Sequence, residues 1–460
     1  MTPTPGTIVL TKHLRTYVTS ADDVSISGGD GNFVITDTGM AATIVLGDGD
    51  QRISATGTSN TIQIGNTTGR DGLSTIATGG GSRVSAGNGH IHVYASGGAN
   101  VILLGNGDDV VRAAADSNDT IVLGNGDNIV IATGGGNGIA VGNGDNLIRA
   151  GSGASNTIAT GSGRNIIDAT GHGNTITLGS GRNIVRAGSA SNLTVFGGNG
   201  TQTIQANGNS TNITLGDGVQ TIDALGQDAI IKIGNTPSRG DGCGEYRPSN
   251  RGGFGGQGDG GSAGPNSTPP VPNLDRGGSV VQTGAYASVT AGDGTNTIVS
   301  SGGYETIADG TGNDSIFLLA GASAGFNTVF LGNGTNRVFL TGRYNYVADG
   351  SGNDTIWSGG GNDLFNINAA GGNETIFNFK ATDSLDLAGL LAGLTLTPTA
   401  AGLAGAITVS QHADRNFGAG GQDTTLSVAG LSGTAHITLA GYDAGGLAGL
   451  LSAGNLVLPP

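Results

Sequence analysis

One cysteine, Cys243, in 460 residues excludes an internal disulfide framework and reads as a free thiol in a loop. Lysine is nearly missing: three lysines and 16 arginines face 34 acids, giving a net charge of −15. A chain this acidic is a poor partner for nucleic acid, whose phosphates demand basic neutralisation. Aromatic residues are 4% and charged residues 12%, so Asn, Thr, Ser and Gly must cover the surface of a thin core with no room for large rings. No run approaches the roughly 20 apolar residues of a membrane-spanning helix. The first residues, MTPTPGTIVLTKHLRTYVTS, lack a basic segment followed by an apolar one, so a secretory signal peptide is not expected there. Catalytic signatures are missing too: there is no H-E-x-x-H, G-x-S-x-G, P-loop or C-x-x-C.

What is abundant is glycine, 91 residues, without the every-third-residue period of collagen. It follows a longer period. Gly105-Asn-Gly recurs at Gly124, Gly142, Gly161, Gly179, Gly198 and Gly216 as G-(N/S/D)-G, at spacings of 19, 18, 19, 18, 19 and 18. Six residues after each first glycine stands an apolar residue: Val111, Val130, Ile148, Ile167, Val185, Ile204 and Ile222. Three residues before it stands another: Ile102, Ile121, Ile139, Ile158, Ile176, Val195 and Ile213. Each period therefore holds two short strands and two glycine turns. Strands this short bury nothing alone, so stacking of successive coils is required. The expected fold is an all-β parallel β-solenoid or β-roll with 18–19-residue coils and a C-terminal β-rich cap. The columns return at Val289, Ile307, Val329 and Val347, and at Ile298, Ile316, Val338 and Ile356, with spacings of 18, 22 and 18. Four segments follow: an Asn-rich solenoid over 1–235, a Gly/Pro-rich linker or excursion over 236–279, a second β-roll over 280–376, and a cap over 377–460.

The turns of the second segment, Gly350-Ser-Gly-Asn-Asp354-Thr-Ile356, Gly359-Gly-Gly-Asn-Asp363-Leu-Phe365 and Gly310-Thr-Gly-Asn-Asp314-Ser-Ile316, match the nonapeptide G-G-x-G-x-D-x-U-x. In these, and in the tail GGNETIFNFKATDSLDLAGLLAG, the chain resembles the repeats-in-toxin (RTX) β-roll proteins. The close resemblance covers about 305–460, whereas residues 20–235 share the architecture with a modified motif. It implies export by a type I secretion system through an uncleaved C-terminal signal, hence a secreted, extracellular or cell-surface protein. It also implies Ca²⁺ ligated by the sixth-position Asp with turn carbonyls, best at Asp314, Asp354 and Asp363 and less well at Asp109 and Asp119.

Elsewhere that position is an amide: Asn128, Asn146, Asn165 and Asn183 on one edge, Asn137, Asn156 and Asn174 on the other. Neutral amides are weaker ligands for a hard dication but can ladder from coil to coil. The N-terminal solenoid is therefore expected to be amide-laddered and largely independent of metal. His90 and His92 alternate onto one strand face, and Asp168 falls between Arg149 and Arg186 in one column, which fits cross-strand charge pairing rather than catalysis.

The outward positions Val110, Ile129, Leu147, Ile166 and Ile184 form an apolar column, and the other face carries Thr120, Thr157, Thr175, Thr177 and Thr214. A regular apolar stripe marks an association surface. The expected function is a secreted bacterial structural protein that self-assembles into a filament, surface layer or biofilm matrix, and not an enzyme. The alternative is an adhesin for polysaccharide, a host surface or ice, less favoured because aromatics are few and Trp357 stands alone. A polysaccharide-active enzyme is the weakest reading.

Overall fold

The computed structural model describes residues 6–68, 72–114, 118–236, 278–319, 325–367, 372–413 and 422–459. Cys243 and nearly all of the 236–279 insert lie outside these residues. The chain is a parallel β-solenoid with 3% helix. It divides into two compact units: the first comprises residues 1–216 and 221–226, and the second residues 217–220 and 227–460.

In the first unit, strands alternate between two parallel sheets. One sheet contains Thr120–Leu123, Gly138–Val141, Thr157–Thr160 and Thr175–Leu178, in which Ile121, Ile139, Ile158 and Ile176 stack in register. The facing sheet contains Val110–Ala113, Ile129–Ala132, Leu147–Gly151 and Ile166–Ala169, with Val111, Val130, Ile148 and Ile167 stacked. All eight residues are at most 2% exposed. β-Branched side chains suit these strands because their restricted χ1 packs well on a pleated, half-buried surface. The stack also runs further towards the N-terminus than the glycine turns indicate: Ile8 pairs with Ile26, and Ile26 with Ile44.

The turns explain the glycine. Gly126 has φ +142°, and a Cβ there would lie 2.0 Å from the carbonyl oxygen of Gly107 in the preceding coil. Gly144 repeats this geometry over Gly126, at 2.1 Å. The coils approach so closely at these corners that any side chain would collide with backbone.

In the second unit, Ile230–Ile233 pairs directly with Ser288–Thr290, placing Ile231 beside Val289. Strands from either side of the 236–279 segment are thus neighbours in one sheet. Val289, Ile307, Val329 and Val347 continue one column, and Ile298, Ile316, Val338 and Ile356 the other. Towards the C-terminus the core accepts large rings, contrary to the compositional expectation. Phe365 is fully buried between Val347 and Leu385, and Phe379 lies 6.1 Å from it and 5.1 Å from Tyr442. There Asn373–Phe377 pairs with Gly433–Ala440, which belongs to an antiparallel three-stranded layer with Gln422–Gly430 and Ile407–Ala413.

Candidate metal positions, amide ladder and surface columns

The residue entering each strand turns its side chain inward at the corner. In the first unit this creates a buried chain of amides. Asn128 Nδ2 donates to Asn146 Oδ1 at 3.0 Å, Asn146 to Asn165 at 2.8 Å, Asn165 to Asn183 at 2.8 Å, and Asn183 to Gln202 Oε1 at 2.9 Å. The same Nδ2 groups donate to carbonyls of their own turn: Asn128 to Gly124 and Gly126, Asn165 to Gly161. On the opposite edge the Asn137 amide N–H donates to Asn156 Oδ1 at 2.9 Å, and Asn156 Nδ2 to Asn174 Oδ1 at 3.1 Å. Each asparagine acts as acceptor for the coil before it and donor to its own turn, so both needs of a buried corner are met by one side chain.

An aspartate at this position accepts but cannot donate. Asp109 Oδ1 takes the Ile91 N–H at 3.0 Å, whereas its buried Oδ2 has no hydrogen-bond partner, and burial pushes its pKa up to about 7. Asp119 Oδ1 accepts from both the main chain and Nδ2 of Asn100. In the second unit Asp314 Oδ1 accepts from Asn296 N–H at 2.6 Å and Asp354 Oδ1 from Asn336 N–H at 2.9 Å; Oδ2 of each is buried without a partner. That bare oxygen stands where Asn296 and Asn336 carry an Nδ2 bonded to the carbonyls of Gly292 and Gly332. Asn296 Nδ2 is shared between the Gly292 carbonyl and Asp309 Oδ1, the latter at 3.2 Å, so Asp314 keeps a buried carboxylate oxygen without a hydrogen bond, which a proton or a cation would relieve.

Asp363 differs, because Asn345 occupies its Oδ1 and Ser358 Oγ its Oδ2, at 2.9 Å each. Ser358 Oγ also lies 3.2 Å from Asp383 Oδ2, so Asp363 belongs to a hydrogen-bonded cluster.

Three acids beside these positions escaped the motif search. Asp309 and Asp349 occupy a column held elsewhere by Leu104, Leu123, Leu178 and Leu331. Asp309 raises the pKa of Asp314, second to burial. Glu374 is 1% exposed with neither carboxylate oxygen hydrogen-bonded. Its pKa is pushed up to about 8, first by burial and then by the charges of Asp349 and Asp354. For the two aspartates the sequence signal is the duplicated A-D-G-(T/S)-G-N-D at 308–314 and 348–354. The donor set, all oxygen, fits a hard cation at Asp309/Asp314 and at Asp354/Glu374. Among the described residues no three carboxylate, imidazole or thiol side chains converge, so turn carbonyls would have to complete either shell.

No protein-family model, curated protein or solved structure matches this chain.

The outward columns lie in register. Val110, Ile129, Leu147, Ile166 and Ile184 follow one another on adjacent strands, partly exposed, with Ile129 at 36%. Beside them Asp168 pairs with Arg149 Nε at 3.6 Å and Arg186 at 3.3 Å, which gives it a structural partner on each side.

The second unit carries a surface feature unforeseen from composition. Tyr286, Tyr304, Phe326 and Tyr344 occupy equivalent corners with φ of 59–65° and stack face to face at 5.1, 5.1 and 5.0 Å. Each ring remains about half exposed, at 47–52%. A second ladder, Phe317–Phe339–Trp357–Phe377, stacks at 4.8, 4.1 and 5.2 Å. The left-handed conformation costs a non-glycine residue about 1–2 kcal/mol, and ring stacking returns about 0.5–1.5 kcal/mol per pair. The corner itself requires no ring, since Gly81, Gly136, Asn118, Asn192 and Asn362 adopt the same backbone. The aromatic corners recur at 18, 22 and 18 residues, the spacing of the core columns, so this ladder was legible in the sequence.

Proposed function

We propose that this is a secreted structural protein that self-associates through the outward faces of its β-solenoid into an extracellular filament, surface layer or matrix. The observation that carries the reading is the column Val110–Ile129–Leu147–Ile166–Ile184: five aliphatic residues in strict register, covering about 19 Å at the ~4.8 Å strand spacing. A flat apolar stripe of this regularity on a chain with 12% charged residues favours face-to-face contact with a second copy. The RTX-like turns and tail support export by a type I system, with Ca²⁺ as cofactor held by Asp314 with Asp309 and by Asp354 with Glu374. Bound there, the cation would neutralise buried carboxylates that otherwise face carbonyl oxygens. The proposal assigns no catalytic residue.

Electron microscopy and light scattering of the purified full chain, with Ca²⁺ and with chelator, test it. Assemblies are expected for the wild type, and dispersed monomers for Ile129→Asp/Leu147→Asp with an unchanged circular dichroism spectrum. Dispersed wild-type monomers under both conditions would overturn the reading. The aromatic ladder favours a second reading, a polysaccharide-binding module, which the tyrosine corners make specific.

A further inference from the structure

We propose that the corner ladder Tyr286–Tyr304–Phe326–Tyr344 is a binding ridge for an extended, uncharged, β-linked polysaccharide. It rests on the binding-module reading and uses residues other than those of the assembly column.

The ligand class follows from what the ridge presents. Stacking occupies the ring faces between neighbours, so ring edges and the three tyrosine hydroxyls are what solvent meets. A ring edge is the positive part of the aromatic quadrupole and makes C–H···O contacts with oxygen-rich partners such as sugars. Ser288, Thr306 and Thr328, two residues beyond Tyr286, Tyr304 and Phe326, add a parallel row of hydroxyls at partly exposed or exposed outward positions. Formal charge is sparse along it: Glu305 beside Tyr304 is buried, Arg343 adjoins Tyr344 in sequence, and Asp228 holds the corner before Tyr286. The net charge of −15 disfavours a polyanion.

The repeat length discriminates further. Ring centroids advance by 5.0–5.1 Å per step. An extended peptide advances about 3.3 Å per residue and a strand of duplex nucleic acid about 3.4 Å per nucleotide, so neither sets one unit at every ring. An extended β-linked hexose chain advances per sugar about as far as the solenoid does per coil, and so sets one sugar at each ring, with alternate sugars turned over.

The ridge is also pre-organised. Tyr286, Tyr304 and Phe326 each donate their main-chain N–H to the next coil, to Gly303, Gly325 and Arg343 carbonyls at 3.0, 2.9 and 3.0 Å. Little ordering remains to be done on binding.

The test is co-sedimentation of the full chain with microcrystalline cellulose and with chitin, and with dextran as the α-linked control. The wild type is expected in the cellulose or chitin pellet and not with dextran. Tyr304→Asn/Phe326→Asn is expected to weaken retention at least about tenfold, or about 1.4 kcal/mol, with the far-UV circular dichroism spectrum unchanged. Asparagine is the chosen replacement because Asn118 and Asn192 hold the equivalent corners. A wild type that neither β-linked polymer retains, equal retention of the double variant, or equal retention on dextran would overturn the proposal. So would loss of self-assembly in the variant without wild-type retention, which would assign the ridge to a second copy. Failure here leaves the Ile129/Leu147 experiment undisturbed.

Discussion

Replacing Asn165 with alanine should destabilise the first unit by about 3 kcal/mol, although the residue belongs to neither aliphatic core column nor the exposed surface. Its side chain is fully buried and makes three hydrogen bonds: from Asn146 Nδ2 at 2.8 Å, to Asn183 Oδ1 at 2.8 Å and to the Gly161 carbonyl at 3.0 Å. A buried hydrogen bond contributes a net ~0.5–1.5 kcal/mol, and a stranded partner costs ~1–3 kcal/mol. Asn146 Nδ2 retains the Gly142 and Gly144 carbonyls, and Asn183 Oδ1 retains the Asn165 main-chain N–H, so the penalties fall near the middle of that range. The comparison is Asn125→Ala, which removes an exposed acceptor of the Asn143 N–H at 2.8 Å and should cost no more than about 1 kcal/mol. Urea unfolding followed by circular dichroism measures both, with hydrogen exchange reporting whether the stack breaks locally, as nearest-neighbour coupling in a solenoid allows. Asn165→Asp keeps the acceptor but turns an oxygen towards Gly161 and Asn183, so it should be worse than alanine at pH 7 and recover part of the loss on acidification. An Asn165→Ala variant within about 0.5 kcal/mol of wild type, or one indistinguishable from Asn125→Ala, would refute the view that the ladder stabilises the stack.

Glu374, Glu305 and Asp354 have pKa values raised to about 8, 7 and 6 by burial, from ordinary values of 4.5, 4.5 and 3.8, so the folded chain holds protons that the unfolded chain releases. Stability must therefore fall as pH rises from about 4 to 8, each group contributing up to about 1.4 kcal/mol per pH unit within its own interval. Melting in chelator should be lower at pH 8 than at pH 5, with Ca²⁺ narrowing the gap; a rise in stability over that interval contradicts the assignment. Gly126→Ala should cost about 3 kcal/mol or more or prevent folding, because its Cβ would sit 2.0 Å from a carbonyl oxygen at φ +142°, and a well-folded variant of wild-type stability would disprove the close-approach argument. Asp168→Asn should cost at most about 1 kcal/mol in the same urea assay, since its arginine partners are 57% and 51% exposed.

The inward columns were legible because β-branched residues recur at one period and alternate within each strand. Parallel in-register stacking then converts a sequence spacing of 18 or 19 into direct contact, as in Ile121 on Ile139 on Ile158. The amide ladder was legible for the same reason, each asparagine standing one coil from the next. The acidic positions were only half legible. Asp314 and Asp354 could be named from the nonapeptide, but Asp309, Asp349 and Glu374 fall outside its sixth position or replace its acid. Asp363 fits the motif as well as Asp354 does, yet Asn345 and Ser358 hydrogen-bond to both of its oxygens, and Ser358 lies five residues away on no recognised spacing.

Sequence alone therefore determined the coil: its length, its two strands, its glycine corners and the identity of its inward residues, all set by local conformation and repetition. Tertiary structure decided what the repetition does not constrain. It set Ser288–Thr290 beside Ile230–Ile233, showed which carboxylate oxygens lack a hydrogen-bond partner, and left four stacked rings half exposed at left-handed corners. The reason is physical. A period specifies which residue lies above which, whereas burial, charge coupling and exposure depend on every atom that closes around a position, including those contributed by insertions and by the cap.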